Sequence, residues 1–179
     1  MSKILVIYFS KYGTTKQYAE WIAEELNGDI YSIKNIKQNI LDNYNTIIIG
    51  FGLYAGKMEG INLLVKYYET IKNKKLVLFT CGLADYNKDE HINSIYKRIK
   101  NELPEKLIEK IKIFYLRGGI NYKKLTIIHK IMMWMLKNVT IKKEIDKLNE
   151  EDQLFIETYG KTIYFMDKKN IMKIIEYCK

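Results

Sequence analysis

The sequence predicts an α/β fold of three layers: a five-stranded parallel sheet, helices on both its faces, and an inserted helical segment after the fifth strand. Short apolar runs alternate with amphipathic stretches along most of the chain. The apolar runs are continuous, as in strands covered on both faces. At 179 residues, with 47% hydrophobic and 28% charged, the chain is sized and composed for one packed domain, residues 1–179. A single proline and the lack of a Gly/Ser-rich tract leave no linker.

The elements follow in order. Lys3–Phe9 reads as a buried strand. Thr14–Asn27 reads as a helix, because Tyr18, Ala19, Ile22, Ala23 and Leu26 share one face and Gly28 stops it. Asp29–Ile33 is a short strand. Thr46–Gly50 is a buried strand that breaks at a glycine-rich loop. Ile61–Ile71 is amphipathic and helical. Lys75–Thr80 is the next strand, with a helix near Glu90–Asn101 behind it. Lys112–Leu116 is the fifth strand, and Ile171–Tyr177 is the closing helix. This order argues for parallel pairing. A ligand then sits beyond the carboxyl ends of the strands, where strand order reverses. The loops Ser10–Thr15, Gly52–Lys57 and Cys81–Tyr86 should therefore converge.

The first loop is the most specific. An apolar strand runs into Ser10-Lys11-Tyr12-Gly13-Thr14-Thr15 and a helix begins at once. Backbone N–H groups and hydroxyls then meet at the positive end of a helix, which suits a phosphate. Gly13 lets the backbone approach without a side chain. The loop lacks the ending of a Walker A loop and the spaced glycines of a dinucleotide fingerprint. In the second loop, Gly52, Leu53, Tyr54, Ala55 and Gly56 offer backbone and one aromatic ring to a flat ligand. Tyr54 is the candidate stacking residue. In the third, Cys81, Gly82, Leu83 and Asp85 offer backbone donors, a small thiol and a carboxylate.

Other classes are poorly served. His91 and His129 stand alone, without partners at metal-ligand spacing or in a Ser-His-Asp context, so no metal site is expected and no catalytic residue is assigned. Chemistry carried by a cofactor fits such a chain. Cys81 and Cys178 are two lone thiols, and the chain opens on a strand without a signal peptide. Both point to the cytoplasm. The formal net charge of +9 predicts attraction to something acidic. Lys123, Lys124 and Lys130 form too small a cluster for a specific nucleic-acid interface.

The region from Arg117 to Tyr159 is extra, and the insertion spans about residues 118–160. Within it, Thr126–Lys137 reads as a helix with Thr126, His129, Lys130 and Lys137 on one face and apolar side chains nearly all round the rest. Something must cover it: its own domain, a second subunit in a homodimer, a membrane interface or an apolar substrate.

Ser10-x-x-Gly13-x-Thr15 after the first strand resembles the phosphate loop of flavodoxins, which holds the phosphate of FMN. Further features match over nearly the full length: the Ile49-Gly50 strand end with Gly56 beyond it, Arg117-Gly118-Gly119 after the fifth strand, the apolar helix in Tyr122–Lys137, and Tyr164-Phe165-Met166-Asp167 before the last helix. Together they resemble the flavodoxin-domain proteins that include menaquinone-dependent protoporphyrinogen oxidase. The resemblance implies a flavodoxin-like fold and an FMN enzyme that oxidises a porphyrinogen and passes electrons to a quinone. It also implies an insertion, here 122–137, that serves the substrate or a peripheral membrane contact. The chain departs from that pattern at Asn149-Glu150-Glu151-Asp152, and at Tyr54-Ala55-Gly56, where an arginine-tyrosine-glycine sequence is expected. A diffusible electron-transfer flavodoxin with a small-molecule or protein redox partner is the first rival reading. A flavin-free binding module that kept the fold is the second.

Overall fold

The structure, a computed structural model, describes residues 3–54, 57–144 and 148–179. β1 (Ile4–Phe9) leads into α1 (Thr14–Leu26), then β2 (Asp29–Ser32) and the short α2 (Gln38–Leu41). β3 (Thr46–Tyr54) turns back through the two-residue β4 (Lys57–Met58). It is followed by α3 (Asn62–Lys66), α4 (Tyr68–Ile71) and β5 (Lys75–Gly82). α5 (Asp89–Glu102), α6 (Glu105–Ile108) and β6 (Ile111–Arg117) complete the sheet. The insertion adds β7 (Gly119–Asn121), α7 (Ile127–Thr140), α8 (Glu150–Thr158) and β8 (Thr162–Tyr164), and α9 (Met172–Cys178) closes the chain.

The main strands lie in the order β2-β1-β3-β5-β6 and all pair in parallel. Strand order reverses at β1, so the crevice beyond β1 and β3 is the ligand edge. Alternate side chains feed two cores. Leu5, Ile7, Ile47, Ile49, Leu76 and Leu78 pack on one face with Leu64, Ile95 and Ile99. Val6, Ile48, Val77 and Phe79 pack on the other with Tyr18, Ile22, Ile174 and Ile175. This two-sided burial is why the strands read as unbroken apolar runs.

Several boundaries differ from the sequence reading. The third strand does not end at Gly50 but runs on to Tyr54, because Gly52 still pairs with Cys81 and Leu53 pairs with Met58 in a hairpin. The helix expected over Ile61–Ile71 is broken at Tyr67, whose ψ of 20° leaves the helical range. Tyr67 and Tyr68 both rest on the core there. The acidic stretch at 149–152 starts α8 as a capping box: Asn149 Oδ1 accepts from the Asp152 N–H and Asp152 returns a bond to the Asn149 N–H. β7 and β8, absent from the sequence reading, pair antiparallel from Gly119↔Tyr164 to Asn121↔Thr162. Among the described residues, no helix is long and apolar enough to cross a membrane.

Phe79 fills the space left by a missing side chain. A Cβ at Gly50, its register partner, would lie 2.1 Å from the Phe79 ring. Gly50→Ala should therefore destabilise the fold by about 1–3 kcal/mol through overpacking. A urea titration would show this as a lower midpoint at unchanged slope.

Candidate functional site

The expected loops do converge at the carboxyl edge of the sheet. Gly13 adopts φ 99° and ψ −21° between β1 and α1, a left-handed conformation that favours glycine. A Cβ there would point into open space, so the constraint is the backbone angle rather than crowding. Its N–H donates to Ser10 Oγ at 3.0 Å, which folds the loop back on itself. α1 begins with no side-chain cap, so the N–H groups of its first turn are not met by a capping side chain. The Thr15 hydroxyl is wholly buried beside the Tyr54 phenol and the Cys81 thiol, yet has no hydrogen bond of good geometry.

Tyr54 reaches over this loop from the tail of β3. Its Oη accepts the Lys11 N–H at 2.7 Å. Its ring meets Tyr12 edge-on at 5.5 Å and lies parallel to the His129 ring at 6.1 Å and 10°. Burial pushes the phenol above its ordinary pKa. Gly52 makes room for it, since a Cβ at Gly52 would sit 2.5 Å from the Tyr54 phenol. Gly52, Leu53 and Tyr54 thus belong to a strand, not a loop, and Tyr54 stacks on a side chain of the insertion. Ala55 and Gly56 lie outside the described residues. Lys11 is ion-paired with Glu59.

Cys81 and Gly82 end β5. Burial pushes the Cys81 thiol up to about 11, and Sγ lies 3.6 Å from Thr14 Oγ1. Thiolate chemistry near neutral pH is therefore excluded at this position. Gly118 presses close behind, where a Cβ would meet Cys81 Sγ at 2.7 Å. Asp85 is tied to its own loop and lies near Arg117. Its Oδ1 accepts the Asn87 N–H at 3.1 Å and its Oδ2 lies 3.9 Å from the Arg117 guanidinium. Arg117 also donates from Nε to the Leu83 carbonyl at 3.2 Å and stacks over the Phe165 ring at 3.8 Å. It holds the third loop against the stem of the insertion.

A cavity of about 320 Å³ opens between these elements. Tyr12, Thr14, Leu53, Tyr54, Cys81, Gly82 and Leu83 line it from the expected loops. Gly118, Gly119 and Ile120 form one side. Leu125 and, from α7, His129, Met132, Met133 and Leu136 form the roof. The sequence reading left open what covers α7. The helix turns His129 together with Met132, Met133 and Leu136 toward the cavity. His129 bonds Tyr12 Oη through Nδ1, while Ile127, Ile131 and Trp134 are 77%, 51% and 57% exposed. The helical spacing of 125, 129, 132/133 and 136 carried the signal.

The flavodoxin-domain family model matches residues 5–146. The chain belongs to the flavodoxin-domain family. An uncharacterised protein of Methanocaldococcus jannaschii is 30% identical over 151 residues, covering 83% of this chain and 94% of that protein. A flavodoxin of Maridesulfovibrio salexigens is 30% identical over 99 residues, 48% of this chain and 67% of its own. Among solved structures, an archaeal flavodoxin is similar at TM-score 0.43 and 19% identity, covering 76% of this chain and 98% of that one.

The site of this flavodoxin-domain chain fits FMN on three of its own features. The first turn of α1 lacks a side-chain cap, the Thr15 hydroxyl is buried without a well-formed hydrogen bond, and Gly13 adopts a left-handed turn with open space where a side chain would stand. Beside that cradle the cavity walls are apolar and glycine-rich, as a flat ring requires. Gly13→Val should weaken FMN binding at least tenfold, because a β-branched residue disfavours φ near +99°. Quenching of flavin fluorescence on titration measures it.

Proposed function

We propose that this chain binds FMN at the carboxyl edge of its sheet and transfers electrons between the flavin and a redox partner. The observation that carries this is the uncapped α1 terminus with left-handed Gly13, set beside an apolar cavity in a flavodoxin-domain chain. Ser10, Thr14 and Thr15 supply hydroxyls and the backbone from Lys11 to Thr15 supplies N–H groups for the phosphate. The Tyr54 phenol yields the Lys11 N–H when the phosphate takes its place. Leu53, Tyr54, Cys81, Gly82 and Leu83 border the ring, with Gly118 and Gly119 behind it. Bound FMN supplies one- and two-electron chemistry. The protein binds it, orients it and excludes water with the roof of α7. A flavoprotein of Lactobacillus acidophilus, similar in fold at 16% identity, was solved in complex with FMN.

A second reading, oxidation of an apolar substrate with a quinone as acceptor, has one observation in its favour. Leu125, Met132, Met133 and Leu136 turn an apolar wall into the cavity. The matched family is the flavodoxin domain as such, and porphyrinogen oxidation gains no support from it. The partner surface in either reading is the outer side of α7, at the membrane periphery. Ile127, Ile128, Ile131, Trp134 and Met135 stand exposed there, with Lys123 and Lys124 just before the helix and Lys130 on it. An apolar stripe with basic flanks suits an anionic lipid surface.

Reconstitution tests the main reading. The protein should quench FMN fluorescence stoichiometrically and bind FAD far more weakly, since among the described residues nothing beside the Ser10–Thr15 loop offers a second phosphate cradle. Retained free-flavin fluorescence at saturating protein would reject it. Reduction of a soluble acceptor compared with a quinone then separates the two readings.

Replacing Ile127, Ile131 and Trp134 with glutamine should leave the melting temperature within about 3 °C, because exposed side chains contribute little to folding. The same variant should lose sedimentation with vesicles of anionic lipid. Unchanged sedimentation would discard the membrane contact.

A further inference from the structure

We propose that His129, brought into the cavity by the inserted helix, is the acid–base residue of the site and takes up a proton when the bound cofactor is reduced. The inference rests on FMN binding as proposed above and adds a residue and a proton to it.

The cavity lining holds no carboxylate, ammonium or guanidinium among the described residues. Its ionisable groups are Tyr12, Tyr54, Cys81 and His129. The Cys81 thiol and the Tyr54 phenol are both pushed upward by burial, so both stay neutral. An imidazole is the side chain that changes charge near neutral pH. It therefore answers for the site when negative charge arrives in an apolar enclosure, where electrostatic interactions are strong.

The setting of His129 suits both of its charge states. Nδ1 faces Tyr12 Oη across the gap between insertion and phosphate loop. A phenol can donate to a neutral ring nitrogen and accept from a protonated one, so this partner serves before and after proton uptake. The Thr126 N–H lies 3.4 Å from the same Oη and fixes the phenol further. The imidazole is also held flat against Tyr54 at 6.1 Å and edge-on to Tyr12 at 5.7 Å. From the phosphate loop it faces Tyr12, and from β3 Tyr54, behind which Lys11 is paired with Glu59. On α7 itself the charged groups are Lys130, which is exposed, and Lys137, held over the Tyr159 ring at 4.5 Å. No bond forms between His129 and the cofactor. The electron comes from the reductant, and the proton comes from water to a lone pair of the imidazole.

The test loads the protein with FMN, reduces one half with dithionite, which is oxidised to sulfite, and follows imidazole nitrogen shifts by NMR from about pH 5 to about pH 9. His129 should bind its proton about tenfold more tightly in the reduced protein, a shift of about one pKa unit. His91, outside the cavity, should show no such difference. His129→Gln, loaded with FMN, should lose one ionisation from the pH dependence of the flavin potential, while His91→Gln keeps it. Equal proton affinity of His129 in the two redox states overturns the proposal, as does an unchanged pH dependence in His129→Gln. Failure of the cofactor reading is distinct from both: flavin fluorescence then stays unquenched at the loading step, and the proposal falls with it.

Discussion

Both faces of the central sheet are covered, and that burial decides where chemistry can stand. Side chains of β1, β3 and β5 are spent on two cores, so none is left to face a ligand along the strands. Only the strand ends are free. Because all five main strands run the same way, their carboxyl ends share one edge. Residues as far apart as Gly13, Tyr54, Cys81 and Gly118 meet there through sheet register alone. A reversal of any one strand would remove its loop from the site.

At that edge the backbone presents the polar groups of the proposed phosphate cradle. Gly13 turns the chain through a conformation that side chains resist, and α1 starts without a cap. Either feature alone is ordinary. Together they leave oriented N–H dipoles beside a buried threonine hydroxyl, an arrangement that stabilises an anion. The aromatic groups Tyr12, Tyr54 and His129 then fill the space above and supply the ring contacts that bare backbone cannot.

Much of this was legible in the sequence, for physical reasons. Two-sided burial writes strands as unbroken apolar runs, so β1, β3 and β5 stood out. The turn at Ser10–Thr15 was legible because one glycine stands between an apolar strand and an amphipathic helix, and Gly13 does take the left-handed conformation there. Tyr54 was legible as a lining residue, but its place at the end of β3 and its contact with His129 were not, since β3 continues as a hairpin that no periodicity marks. Asp85 has an Arg117 guanidinium near it, a pairing that nothing in its own loop sequence marks. The orientation of α7 was the least legible feature. A helix apolar nearly all round offers no single face to bury, and what orients this one is the contact of His129 with tyrosines distant in sequence. β7 and β8 are three-residue strands, too short to show a pattern.

The insertion leaves and re-enters the fold at one place. Gly119 pairs with Tyr164, and the Phe165 N–H donates to the Gly118 carbonyl at 2.9 Å. The two ends of the segment are therefore about one strand spacing apart, near 4.8 Å. A loop anchored in this way closes at an entropic cost that depends only weakly on its length. The sheet is indifferent to what hangs from that stem. The outer surface of the cap can change while its inner face, tied to Tyr12 and Tyr54 through His129, stays fixed over the cradle, so partner choice can vary on one side of a helix whose other side belongs to the site.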